Sequence, residues 1–194
     1  MYSHPATKQD EWVLSQNVKW GTFVELGAYD GLTHSNTRLL EELGWRGRLI
    51  EGCEEFAKQC KVNRPKAEVI NAVIGDGRRE EFVIGGQYSG ITRLMPDDFM
   101  EEHNKRGNKL VYVDTKTLTD VLGTEPVTYL SLDTEGGELD ILREWFKSGG
   151  RCELLTVEFR YKYDQIFLFD ALCYTYGMVL DQIRGFDLCY KRMT

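Results

Sequence analysis

An apolar run, Thr22-Phe23-Val24-Glu25-Leu26, opens directly onto Gly27-Ala28-Tyr29-Asp30-Gly31, and this junction restricts the fold more than any other feature of the chain. The first five residues have the composition of a buried strand. Two glycines bracketing three residues then read as a tight turn, in which the missing side chains let another group come close to the backbone. A helix is expected next, with Ser35 as its N-cap, Leu39, Leu40 and Leu43 on one face, and Gly44 as its stop. Strand, glycine turn and helix in succession form one unit of a mainly parallel α/β sheet.

The same rhythm returns along the chain. Thr7 to Val18 reads as a helix within an N-terminal segment of residues 1–20. Strands are expected at 48–51 and 68–70, with a helix between them from Glu54 to Asn63 that buries Phe56, Ala57 and Cys60 and ends before Pro65. Later come a strand at 128–132, a helix from Glu138 to Phe146 turning Leu139, Leu142 and Phe146 inward, a strand at 154–159 and a helix at 164–176. Met178 to Ile183 and Asp187 to Lys191, joined around Gly185, read as an antiparallel hairpin at the sheet edge. Residues 75–114 break the pattern, with short strands at 81–84 and 110–113 and a polar helix at 97–105. They are expected to be an irregular insert that walls an acceptor pocket. Thr117 and Asp120 have the spacing of a capping box. With 194 residues, no repeat and no linker, one domain over residues 1–194 is expected.

Charge and composition narrow the partners. A net charge of −7, spread along the chain, disfavours nucleic acid, which needs a basic field. Apolar runs are strand-sized, so no membrane span is expected, and Met1 to Pro5 has no secretory pattern. The five cysteines form no C-x-x-C pair and are expected to stay free in a reducing cytoplasm. His4, His34 and His103 lack metal-ligand spacing, so no zinc site is expected.

Carboxylates close several of the strands. Glu25 precedes the first glycine turn, and an acid there suits a ligand carrying an ammonium and a sulfonium, as S-adenosylmethionine does. A dinucleotide site would want G-x-G-x-x-G, and Asp30 in the turn would repel a pyrophosphate. Glu51 ends the next strand twenty residues after Gly31, placed to accept the hydroxyls of a ribose. Ser131-Leu132-Asp133-Thr134-Glu135-Gly136-Gly137-Glu138 gathers acids and glycines at another strand end, and Glu158 ends a neighbouring one. Unpaired buried carboxylates cost several kcal/mol, at about the scale expected for desolvated charge, so such a group reads as a site. Asp133 and Glu158 could together hold a divalent cation, although no metal is the expectation.

Taken in order, these segments resemble the FkbM-type family of S-adenosylmethionine-dependent methyltransferases. Gln9-Asp10 stands before the first helix, Phe23 to Gly31 is similar to the family's first motif, and Ser35-Asn36-Thr37 to its helix start. Gly44-Trp45-Arg46-Gly47 with Ile50-Glu51, then Ser89-Gly90-Ile91, Thr117-Leu118 and Ser131 to Glu138 follow in the same order. The resemblance implies a class I, Rossmann-like three-layer sandwich with a mostly parallel seven-stranded sheet whose last strand is antiparallel. It implies that S-adenosylmethionine is bound by Glu25, Gly27, Ala28, Gly31, Ser35, Asn36, Thr37, Glu51, Asn71, Ala72 and Asp133, with Asp133 and Glu135 facing the transferring methyl. Transfer to a hydroxyl of a sugar or small metabolite is the implied activity. A methyltransferase fold retained only for binding, and a nicotinamide-dependent oxidoreductase, are the rival readings.

Two segments depart from the pattern. Gly52-Cys53 follows Glu51 where many members have proline, and Phe159-Arg160 follows Glu158 where many have a His-Asn pair. Tyr88, Tyr112, Tyr161, Tyr163 and Arg160 are candidates for acceptor contact. Asp133 or Glu135 is the candidate general base.

Overall fold

The structure, a computed structural model, describes residues 3–159 and 163–193. It begins with helix α1 (Gln9–Ser15), strand β1 (Thr22–Leu26), helix α2 (Arg38–Glu42), strand β2 (Arg46–Glu51), helix α3 (Glu54–Asn63) and strand β3 (Glu68–Asn71). The insert follows as β4 (Arg79–Ile84), β5 (Gly90–Ile91), α4 (Asp97–Arg106) and β6 (Lys109–Asp114). The chain then forms α5 (Leu118–Leu122), β7 (Val127–Leu132), α6 (Glu138–Lys147), β8 (Cys152–Glu158), α7 (Tyr163–Thr175), β9 (Met178–Arg184) and β10 (Asp187–Arg192).

Seven strands make one sheet in the order β3-β2-β1-β7-β8-β10-β9. The neighbours from β3 to β8 are parallel, and β10 runs antiparallel to both β8 and β9. The sheet therefore has the class I methyltransferase arrangement, with its last strand reversed. Strand order changes direction between β1 and β7, and in open α/β sheets the loops beyond such a switch leave a crevice. Two apolar layers cover the sheet. Leu118, Leu142, Trp145, Phe146 and Phe169 pack on one face, while Trp12, Val13, Leu40 and Cys60 pack on the other.

Two local expectations are corrected. α2 is five residues long, with Thr37 rather than Ser35 at its N-cap. Leu43 is 54% exposed, and Glu41 takes the buried position because Arg64 reaches it at 2.8 Å. On α6 the buried stripe is Ile141, Leu142, Trp145 and Phe146, a spacing of three and four residues; Leu139 only flanks it. Residues 75–114 hold the two strands and the helix expected there, and what the sequence did not show is that the strands form a sheet of their own. β4 pairs antiparallel with β5 and β6, and Val73, Phe82 and Ile91 form a small core beneath them. The pairing of β4 with β6 joins segments some thirty residues apart, and such a contact carries no local signal in the sequence.

The capping box at Thr117 forms as expected, with the Thr117 hydroxyl accepting from the Asp120 amide at 3.0 Å and the Asp120 carboxylate from the Thr117 amide at 3.2 Å. Among the described residues no helix is long and apolar enough to cross a membrane.

Candidate active site

The carboxyl ends of the parallel strands and the loops beyond them enclose a cavity of about 650 Å³. Glu51, Gly52 and Ala72 line it from the β2–β3 side, and Glu25, Gly27 and Ala28 from the centre. Asp133, Glu135 and Glu158 line the side next to β7 and β8. Sequence candidates from both halves of the sheet thus meet around one space. Gly31, Ser35, Thr37 and Asn71 do not line it, although Asn36 does.

Glu25 is nearly sealed from water, and the chain itself uses its carboxylate. The carboxylate accepts from the Ser35 hydroxyl at 2.9 Å, the Asn36 amide at 2.7 Å and the Thr37 hydroxyl. The buried Arg64 guanidinium lies 3.7 Å away and also donates to Gly31 O, Ser35 Oγ, Thr37 Oγ1 and Glu41. Ser35 and Thr37 therefore act from beneath the cavity, tying the loop between β1 and α2 to the end of the strand.

Internal packing by itself demands glycine at both positions of the turn. A β-carbon on Gly27, whose φ is +81°, would lie 1.7 Å from the Asp133 carbonyl oxygen on the neighbouring strand. One on Gly31, at φ +78°, would meet Arg64 Cγ at 3.0 Å and Cys60 Sγ at 3.3 Å. At Gly27 the turn is tight because the backbone leaving β7 lies directly alongside the end of β1 at the switch point.

Glu51 is buried at the end of β2 and lines the cavity. Its oxygens accept from the Tyr29 amide at 2.8 Å and the Cys53 amide at 2.7 Å. Burial pushes its carboxyl up to about 7, against the opposing effect of these amides. Each carboxylate oxygen has a further lone pair, so Glu51 retains capacity for a ligand hydroxyl. Asn71 instead donates to the Glu51 and Gly52 carbonyls at 2.8 and 3.1 Å, which fixes the Glu51 backbone from outside the cavity.

The opposite wall is acidic. Asp133 and Glu158 share a side-chain hydrogen bond, and burial first, then the charges of Asp133, Glu138 and Asp187, hold the Glu158 carboxyl well above the usual range. Asp187 faces Glu158 across the antiparallel pairing, and burial pushes it up to about 8. Glu135 is buried with φ +64°. Its loop is shaped by Glu138, whose carboxylate accepts from the amides of Thr134 and Gly136 at 3.0 and 2.8 Å. Among the described residues no group of three or more His, Cys, Asp or Glu is arranged to hold a metal ion.

Several lining residues were not among the site candidates of the sequence. Gln9 is a buried hub, its carbonyl accepting from Tyr129 Oη at 2.9 Å, Ser131 Oγ at 3.1 Å and Thr156 Oγ1 at 2.6 Å while its amide donates to Asp187. Tyr29, His4, His34 and Phe186 also line the cavity. Of the aromatic acceptor candidates, Tyr88 lines it, and Tyr112 is 66% exposed and does not. Arg160, Tyr161 and the Tyr163 side chain lie outside the described residues.

Among solved structures the chain is similar in fold to the ribosomal protein L11 methylase of Lactobacillus delbrueckii subsp. bulgaricus, with a TM-score of 0.54 at 11% identity over 100% of this chain and 81% of the other. It is likewise similar to PH1948 of Pyrococcus horikoshii, a proposed RNA methyltransferase, with a TM-score of 0.55 at 8% identity over 96% and 82% of the two chains. No curated protein matches it in sequence. The profile of the FkbM methyltransferase domain matches residues 25–185, from the acid that closes β1 to the turn before β10. The nicotinamide reading falls with that match: the chain belongs to the FkbM methyltransferase domain family and is an S-adenosylmethionine-dependent methyltransferase.

Proposed function

We infer that the chain transfers the methyl group to a hydroxyl of a sugar or another small metabolite. The observation that carries this reading is the acidic wall of Asp133, Glu135 and Glu158, set across Gly27 from Glu51 and Ala72 in one cavity. The donor set fits S-adenosylmethionine: Glu51 offers acceptor lone pairs for ribose hydroxyls, Ala72 and Val73 an apolar flank for adenine, and Gly27 and Ala28 bare backbone for the methionine end. When bound, that cofactor supplies an electrophilic methyl on a cationic sulfur. Glu25, Ser35, Asn36 and Thr37 keep the methionine-side loop in place, Gly31 supports it through Arg64, and Asn71 holds the Glu51 backbone on the ribose side.

A hydroxyl acceptor must give up a proton, and Asp133 takes it, with Glu135 as the alternative base. The protein's larger contribution is alignment of the reacting atoms, worth up to about 7–11 kcal/mol in favourable cases. The net charge of −7 weighs against a polyanionic acceptor such as RNA. All five cysteines are free, which supports a cytoplasmic setting.

Single-turnover measurements on Asp133→Asn and Glu135→Gln, with cofactor binding followed by calorimetry, test the assignment. Loss of the base lowers the rate by about 10²–10⁴-fold while the cofactor still binds. Full rates in both variants would rule out carboxylate base catalysis.

A further inference from the structure

The sheet order arranges the cavity as a row. Ala72 follows β3, Glu51 ends β2, Gly27 follows β1, Asp133 follows β7, Glu158 ends β8 and Phe186 precedes β10. Neighbouring strands are about 4.8 Å apart, so Phe186 stands four spacings, roughly 19 Å, from Glu51. A cofactor extending from Glu51 to Gly27 and Asp133 leaves the region beyond Asp133 to the acceptor.

Three rings meet in that region. His4 is 4.8 Å from His34 at an interplanar angle of 74°, and 5.2 Å from Phe186 at 54°. All three line the cavity, and none belongs to the apolar clusters that form the core. The corner is held from several directions. Ser3 bridges to His34, Gln9 donates to Asp187, and Gly185 lies so close to the Ala6 carbonyl that a β-carbon there would sit 2.9 Å from its oxygen. His34 has φ +55°, a conformation that side-chain-bearing residues adopt only where their surroundings impose it. Burial, followed by the neighbouring His34, lowers the His4 pKa, so its ring is neutral near physiological pH. Asp133, Glu158 and Asp187 are the acids packed on the adjoining strand ends. His4 and Phe186 both lie outside the residues matched by the family profile.

We propose that His4, His34 and Phe186 form the acceptor subsite and select an uncharged six-membered ring, from a sugar or a phenol, that presents an apolar face to them. This rests on the reading of the Glu51–Gly27 side as the cofactor end. Tilted ring pairs leave π-faces available for such packing, and removing one aromatic partner weakens binding by up to about tenfold.

The test uses the full chain saturated with S-adenosylhomocysteine. Methyl hexopyranosides and catechol are titrated separately by saturation-transfer NMR, so that the responding class identifies the source of the ring. One class binds, and His4→Ala and Phe186→Ala each weaken it by about tenfold, whereas calorimetric affinity for S-adenosylhomocysteine changes less than about twofold. Phe186→Leu, which keeps apolar bulk without the ring, weakens ring binding as well. Normal S-adenosylhomocysteine binding with no ring binding, or with ring binding unchanged in all three variants, overturns this subsite alone. No S-adenosylhomocysteine binding in the wild-type chain overturns the cofactor reading and the subsite together.

Discussion

Arg64 and Glu25 meet in the interior, with Nη1 of the guanidinium 3.7 Å from the carboxylate and both side chains nearly sealed from water. Arg64 comes from the end of α3, Glu25 from the end of β1, and Glu41 on α2 completes the group at 2.8 Å. One cation therefore joins three segments that lie apart in sequence, and the loop beside the methionine end of the cavity is fixed by what lies beneath it.

Replacing the cation exposes its role. Arg64→Ala strands two buried carboxylates and is expected to lower stability by about 3–5 kcal/mol. Arg64→Lys keeps the charge but loses the fork that reaches Glu41, Ser35 and Thr37 together, so it should fall between the two. Urea unfolding measures both, and a wild-type midpoint in Arg64→Ala would contradict the arrangement.

Glu51 should make cofactor binding depend on pH. Its carboxyl is pushed up to about 7, and only the ionised form accepts hydrogen bonds through both oxygens. Affinity for S-adenosylhomocysteine should rise as pH increases through about 7 and level off roughly one unit above it. The stability of the free protein runs the other way. Folding favours the protonated form, so this contribution is fully present below the ordinary value of 4.5 and is lost as pH rises to about 7. Calorimetry and thermal unfolding across that window, with Glu51→Gln as the flat reference, check both signs.

Steric contact and backbone strain can be separated at two glycines. Gly27→Ala drives a β-carbon into the Asp133 carbonyl, and destabilisation of at least about 3 kcal/mol is expected, with loss of S-adenosylhomocysteine binding. Gly44 also has positive φ, at +98°, but nothing lies within 4 Å of its missing β-carbon, so Gly44→Ala should cost only the backbone term of about 1–2 kcal/mol. Equal effects in the two variants would show that contact with β7 is unimportant.

The capping box is a control far from the chemistry. Thr117→Ala removes the hydroxyl that accepts from Asp120 and should cost about 1 kcal/mol, lowering Tm by roughly 2–4 °C. Cofactor affinity should not change, as calorimetry would show.

The sequence by itself determined the alternation of strands and helices, the glycine turn after β1, the capping box and the acids at the strand ends. These are local signals, readable from periodicity, turn chemistry and the rarity of carboxylates in apolar runs. It also placed Glu51, Asp133, Glu135 and Glu158 around one site, since parallel strands end on the same side of a sheet. Only the tertiary structure decided which partners within the chain each of those acids has. Glu25 lines the cavity, and only the fold shows that Arg64, thirty-nine positions away, also reaches its carboxylate along with Ser35 and Thr37. Only the fold shows that the missing side chains of Gly27 and Gly31 also make room for the Asp133 carbonyl and for Arg64 and Cys60. Gln9, His4 and Phe186 line the cavity because β10 starts beside the carboxyl end of β8, which brings the turn carrying Phe186 to the rim where the N-terminal segment also lies. Such contacts depend on packing between distant segments, and no local pattern of residue types encodes them.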